Sequence, residues 1–139
     1  MTYLLDTCVV SELVKPGPDE TVVAWMARVP DEACHLSVIT VGELAKGAAR
    51  LPPSAKRVRL ERWIGELISQ YGVRIIPVDA SVARRWGRLS GELSRKGITT
   101  LMGDGLIAAT ALVHGLKLAT RNIADFKPFG VEIVDPWKG

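Results

Sequence analysis

The chain has 139 residues, 47% of them apolar and 24% charged, with a formal net charge of +3 at pH 7. That length suits one domain, expected over residues 1–139, large enough to bury about two thirds of its unfolded surface without disulfide staples. No apolar run approaches the roughly 18 residues of a membrane span and no basic, apolar leader precedes Tyr3, so a membrane protein is not expected and the cytoplasm is the expected compartment.

In chain order, Tyr3 to Asp6 reads as a short buried strand, and Cys8 to Val14 as a helix stopped by Lys15-Pro16. Glu20 to Arg28 follows as a helix behind Asp19. Ala33 to Leu36 is a weakly signalled second strand, before a helix from about Ser37 to Lys46 that Gly47 would close in a left-handed cap. Ser54 to Tyr71 places Val58, Trp63, Ile64, Leu67, Ile68 and Tyr71 near one helix face, ending at Gly72. Val73 to Val78 has the clearest strand pattern. Asp79 then suits the N-cap of a helix through Arg95, with Val82, Trp86, Leu89 and Leu93 as its apolar stripe and the tryptophans expected in the core. Leu106 to Val113, apolar and alanine-rich, is expected to be a buried helix capped by Gly115; Leu116 to Thr120 and Val131 to Val134 are the last strands. Pro16-Gly17-Pro18 and Pro52-Pro53 mark tight breaks between helices, not domain boundaries. Short strands alternating with helices predict an α/β fold: a short, mainly parallel central sheet flanked by helices on both sides. In such sheets ligands bind beyond the carboxyl ends of the strands.

Four carboxylates fall at that edge. Asp6 closes the first strand, Glu43 and Asp104 lie near helix starts, and Asp125 follows the fourth strand in Asn122-Ile123-Ala124-Asp125. Each has an ordinary structural role open to it. Asp6 can cap the next helix, and Glu43 matches capping-box spacing with Thr40; Asp104 suits a helix dipole and Asp125 a turn. Their shared placement is what those separate roles leave unexplained. Two carboxylates ~5 Å apart repel by roughly 3 kcal/mol at an effective dielectric of 20, so a cluster needs a neutralising cation. Hard oxygen donors without histidine or cysteine point to Mg²⁺ or Mn²⁺ and to phosphate ester chemistry. Cys8 and Cys34 lack CxxC spacing and a second pair that would complete a zinc site with His35 and His114, so both are read as buried, reduced thiols. The basic groups Lys56-Arg57-Arg59-Arg62, Arg84-Arg85-Arg88 and Arg95-Lys96 form solvated helix faces or a phosphate-binding rim.

The residues around these acids resemble a known family. Tyr3-Leu4-Leu5-Asp6-Thr7-Cys8-Val9-Val10-Ser11-Glu12 is similar to the opening motif of PIN-domain nucleases. Ser37-Val38-Ile39-Thr40-Val41-Gly42-Glu43-Leu44 resembles the second motif, Asp104-Gly105-Leu106-Ile107-Ala108-Ala109-Thr110-Ala111 the third, and Thr120-Arg121-Asn122-Ile123-Ala124-Asp125-Phe126 the fourth. Four motifs in order across nearly the whole chain are specific where one alone is not, and the likeness is to the VapC and FitB toxins of bacterial type II toxin–antitoxin systems. The resemblance implies that Asp6, Glu43, Asp104 and Asp125 hold the metal and are the catalytic set, that Thr7 assists beside the first aspartate, and that Asn122 orients the site. It further implies a metal-dependent endoribonuclease acting on single-stranded RNA, a homodimer, a cognate antitoxin whose tail blocks the groove, and operator DNA bound only through that antitoxin. The segment Thr99-Thr100-Leu101-Met102-Gly103 departs from the family, where a more polar or proline-containing approach to the third motif is common.

Other functions compete with this one. A phosphoacceptor receiver module also has an acidic Mg²⁺ pocket, but it needs adjacent acids after its first strand and a late lysine; here Leu5 precedes Asp6 and Lys117 is misplaced. A DNA-bound repressor component with little nuclease activity and a non-toxin RNA-processing nuclease remain as alternatives.

Overall fold

The computed structural model describes residues 1–139. Its centre is the uncharged run Tyr3–Leu5, β1, which pairs in parallel with β2 (Cys34–Ser37) on one side and β4 (Lys117–Ala119) on the other. Adding β3 (Ile75–Ile76) and β5 (Ile133–Val134) gives a five-stranded, all-parallel sheet in the order β3-β2-β1-β4-β5. The chain builds outward from β1 to β3 and then crosses back to β4, so the order reverses between β1 and β4. A crevice forms at such a reversal, at the carboxyl ends of the strands.

Successive strand residues face opposite ways, which divides the core in two. Leu5, Leu36 and Ala119 pack with α1 (Thr7–Val14), α2 (Glu20–Arg28), α3 (Val38–Ala49) and α4 (Ala55–Tyr71) through Val9, Trp25, Leu44 and Leu67. Leu4, Ile76 and Leu118 pack with α5 (Ala80–Arg95), α6 (Met102–His114) and the short α7 (Ile123–Phe126) through Leu93, Ile107 and Phe126. Leu4, Leu5, Leu36 and Leu118 are wholly buried, each contributing about 2 to 3 kcal/mol of hydrophobic stabilisation. The helix starts follow the expected chemistry: Asp19, Ser54 and Asp79 each accept backbone N–H bonds from the first turn of their helix. α5 and α6 approach closely because residue 105 is glycine; a Cβ there would stand 2.7 Å from Cδ1 of Trp86.

Several expectations are corrected. The strand expected over Val73 to Val78 shrinks to Ile75–Ile76, because Gly72–Arg74 forms a 3₁₀ turn, and Val73 is fully exposed. The Arg74 guanidinium fixes that turn on the carbonyls of Asp31, Cys34 and Gln70, and Pro77 has no N–H to extend the ladder. Gly47 does not cap α3; the helix runs through it to Ala49, since tertiary packing of Leu44 and Ala48 outweighs one glycine. On α4, Ile64, Leu67 and Tyr71 are buried, whereas Val58 and Ile68 point to solvent because the buried stripe is narrower than the apolar one. Among the tryptophans Trp25 is buried, while Trp63, Trp86 and Trp137 are half-buried. Cys34 is buried, but Cys8 is only partly so. The last helix of the alanine-rich run begins at Met102, four residues before Leu106, and ends at Gly115 in the left-handed conformation, φ 66°.

Candidate active site

Asp6 follows β1 directly, and its backbone N–H bonds to the carbonyl of Ala119 at the reversal between β1 and β4. Its side chain is 95% removed from solvent, at 5% exposure, with each oxygen engaged. Oδ1 accepts the N–H of Thr7 at 2.8 Å, so the helix-capping role open to Asp6 is realised. Oδ2 accepts the Thr120 hydroxyl at 2.7 Å and the Cys8 thiol at 3.4 Å. Burial first, then the Asp6 charge, pushes that thiol up to about 11, so Cys8 is a neutral donor at physiological pH.

Glu43 does not form a capping box. Ser37 is the N-cap of α3 and accepts the N–H of Ile39, which leaves Thr40 inside the helix and buried. Glu43 instead reaches across to α1, where Oε1 accepts the Thr7 hydroxyl at 2.5 Å; Thr7 Oγ1 and Thr40 Oγ1 are 3.2 Å apart. Its other oxygen overlies the start of α6, 3.3 Å from where a Cβ on residue 103 would stand, so glycine there makes room for it.

Asp104 is the third residue of α6, and the N-cap position is Leu101, which offers no side-chain cap. Asp104 therefore sits well for the helix dipole but caps nothing. Its carboxyl is pushed up to about 6, chiefly by burial and then by the charges of Asp6, Asp125 and Glu43. Residues 6, 43 and 125, distant from it in sequence, thus act on the carboxyl of residue 104. Asp125 is exposed on α7, its backbone N–H bonded to the carbonyl of Asn122. Asn122 enters through its backbone, whose N–H donates to Thr120 Oγ1 at 3.0 Å.

Thr120 is the residue that sequence reasoning missed as part of the site. It is wholly buried, orients Asp6 and is itself oriented by Asn122. The available signal was a lone hydroxyl at the end of the apolar run Leu116 to Thr120, a position that register places beside the end of β1.

No three His, Cys, Asp or Glu side chains stand close enough together to hold one ion among them. The acids feel one another across the crevice, since Asp6, Asp125 and Glu43 all act on Asp104, without closing on a single point. None of the chain's ion pairs neutralises them, since these join Lys15 to Glu12, Arg57 to Glu61 and Lys117 to Glu132. The donors present are carboxylate and hydroxyl oxygens, and the like charge that adds to burial in raising Asp104 is what a hard divalent cation relieves, so the chemistry of these residues fits such an ion. The two main hollows of the surface, of about 290 and 340 Å³, lie along α5 and not over the acids. An open crevice of this kind admits a polymer better than it encloses a small ligand.

A PIN-domain family model matches residues 3–128. A VapC ribonuclease of Sinorhizobium fredii is 38% identical over 136 residues, covering 97% of each chain. Toxin FitB of Neisseria gonorrhoeae is 38% identical over 135 residues, covering 96% of this chain and 97% of that one. The solved structure of FitAB bound to a DNA fragment superposes with a TM-score of 0.90 at 35% identity, over 98% of this chain and 96% of the other.

Proposed function

The chain belongs to the PIN-domain family, and from that membership and the acidic crevice we propose that it is the metal-dependent endoribonuclease toxin of a toxin–antitoxin pair, cleaving single-stranded RNA. The observation that carries this reading is Asp104, a half-buried carboxyl raised to about 6 beside Asp6, Asp125 and Glu43 with no cation of the protein's own to balance them.

Asp6, Glu43, Asp104 and Asp125 would hold the metal, and the oxygen-only donor set favours Mg²⁺ or Mn²⁺. A divalent cation at that place supplies Lewis acidity, lowering the pKa of water and stabilising charge that builds on the phosphodiester. The protein's own contribution is placement. Thr120 and the N–H of Thr7 hold Asp6 in one rotamer, and the Thr7 hydroxyl holds Glu43 across the crevice. The Asn122 backbone fixes Thr120 in turn. Without an ion, Asp104 holds a proton below pH about 6 and releases it above.

The same family membership supports a homodimer, a cognate antitoxin that covers the crevice, and operator DNA engaged through the antitoxin; the similar FitAB structure holds a DNA fragment. No helix is long and apolar enough to cross a membrane. Purified protein is expected to cleave single-stranded RNA with Mg²⁺ or Mn²⁺ and to stop in EDTA. Undiminished cleavage in excess chelator overturns the metal mechanism, and absence of any cleavage favours the repressor-component alternative.

A further inference from the structure

Of the 18 lysines and arginines, five are fixed by a partner. Lys15, Arg57 and Lys117 are neutralised by Glu12, Glu61 and Glu132. Arg74 is spent on backbone carbonyls and the face of Tyr71 at the amino end of β3. The fifth differs in kind and in place. Arg121 stacks over the ring of Trp137 with its guanidinium carbon 4.8 Å from the centroid, and no carboxylate pairs with it. It lies beyond the carboxyl end of β4, on the crevice side of the sheet, and is the residue after Thr120, whose hydroxyl is 2.7 Å from Asp6. About 3.8 Å of chain therefore separates the residue that orients Asp6 from the one that carries this cation.

The platform under it is anchored. Trp137 sits in a C-terminal turn, Pro136–Lys138, that Asp135 caps by accepting the Trp137 N–H at 2.9 Å, and its ring packs against the cluster containing Trp25 and Val22. A ring attracts a guanidinium through its quadrupole yet leaves all five N–H donors free, so stacking sets the position without neutralising the charge. Free, forked donors held in one place match the oxygens of a phosphodiester.

Resting on the nuclease reading, we propose that Arg121, positioned by Trp137, is a phosphate clamp that grips the RNA backbone next to the scissile bond and fixes its register over the carboxylates. It touches a phosphate that does not react, so it is a positioning residue. The basic faces of α4 and α5, whose Arg59, Arg62, Arg84 and Arg88 have no such platform, contribute diffuse attraction instead.

The test is fluorescence anisotropy with a labelled single-stranded RNA 20-mer of random sequence, in EDTA to prevent turnover, titrated at several KCl concentrations. Arg121→Gln is expected to weaken binding by about tenfold, the loss of one charged hydrogen-bonded contact. It should also lower the slope of log affinity against log salt by about 0.7, one phosphate on a single strand. Arg121→Lys should keep the slope and lose part of the affinity. Trp137→Phe, a smaller platform, should fall between Arg121→Gln and wild type, and Arg84→Gln should weaken binding less than Arg121→Gln and leave the cleavage sites unmoved. In steady-state cleavage Arg121→Gln should raise KM about tenfold with kcat within a few-fold. Equal affinity and equal salt slope for wild type and Arg121→Gln overturn the clamp while leaving the nuclease intact. A wild type that neither binds nor cleaves RNA overturns the nuclease reading itself, and the clamp with it.

Discussion

Two sides of one crevice are built on different principles. On the side formed by β1, α1 and α3, Asp6 and Glu43 are held by donors of the protein: two hydroxyls, a thiol and a backbone N–H. On the other, at the start of α6, Asp104 has none of these; burial and three like charges act on it, and its carboxyl rises to about 6. The difference teaches which half the fold fixes in advance and which half depends on a cation. The hydroxyl-bearing side is oriented by folding alone. The α6 side stores repulsion that a divalent ion would convert into binding.

The largest expected effect breaks both sides. Asp6→Asn and Asp104→Asn each remove the charge of a proposed ligand at almost constant volume, and cleavage should fall by about a thousandfold or more, as loss of several kcal/mol of metal-borne stabilisation requires. Circular dichroism and gel filtration should match wild type. Activity within a few-fold of wild type for either variant takes that residue out of the site.

A stability measurement sharpens the comparison without any substrate. Because the folded carboxyl of Asp104 titrates near 6 and the unfolded one near 3.8, the folded state binds the extra proton between these values. The contribution of Asp104 is therefore most favourable below about pH 4 and is lost as pH rises through about 6. The group is partly exposed, so solvent screening reduces the loss to about 1 to 2 kcal/mol. In EDTA, Asp104→Asn should match wild type at pH 4 and exceed it by that amount at pH 7.5 in urea unfolding. Several millimolar Mg²⁺ should reverse the ranking at pH 7.5, because the ion stabilises only a native state that binds it. A variant less stable by the same margin at both pH values, with and without Mg²⁺, would mean that Asp104 serves the helix and not the crevice.

The orienting side depends on single hydroxyls. Thr7→Val keeps the shape but removes the hydroxyl that holds Glu43, and a lost outer contact of this kind costs about 10- to 100-fold in metal affinity or activity. Isothermal titration with Mn²⁺ should show weakened binding with the EDTA-state stability nearly unchanged. Unaltered Mn²⁺ affinity would show that Glu43 finds its place without Thr7.

Much of this was legible in the chain itself. The apolar run Tyr3–Leu5 and the acid after it, the cap Asp79, and the αL glycine at 115 are local signals, and local signals survive folding because neighbours in sequence remain neighbours in space. The alternation of strand and helix pointed to a parallel sheet, and so to the edge where the four acids lie. Where the reading failed, a distant group had decided the matter. Val73 looks like a strand residue, yet Arg74 reaches carbonyls of residues 31 and 34 and turns the chain there. Glu43 has the spacing of a capping partner for Thr40, yet Thr7, 36 positions away, offers it a better donor. Thr120 reads as the last residue of an ordinary strand until β4 pairs with β1 and brings its hydroxyl to Asp6 from 114 positions away. Arg121 is one of 18 cations in the sequence, and only the return of the C-terminal turn beneath it makes it the one held on the rim. Sequence by itself determined the elements and the acids they carry, because propensity and spacing are properties of a segment. Tertiary structure alone decided which hydroxyl holds which carboxylate and which charge is left unbalanced, because hydrogen bonding, burial and Coulomb repulsion act between atoms that only folding brings within a few ångströms.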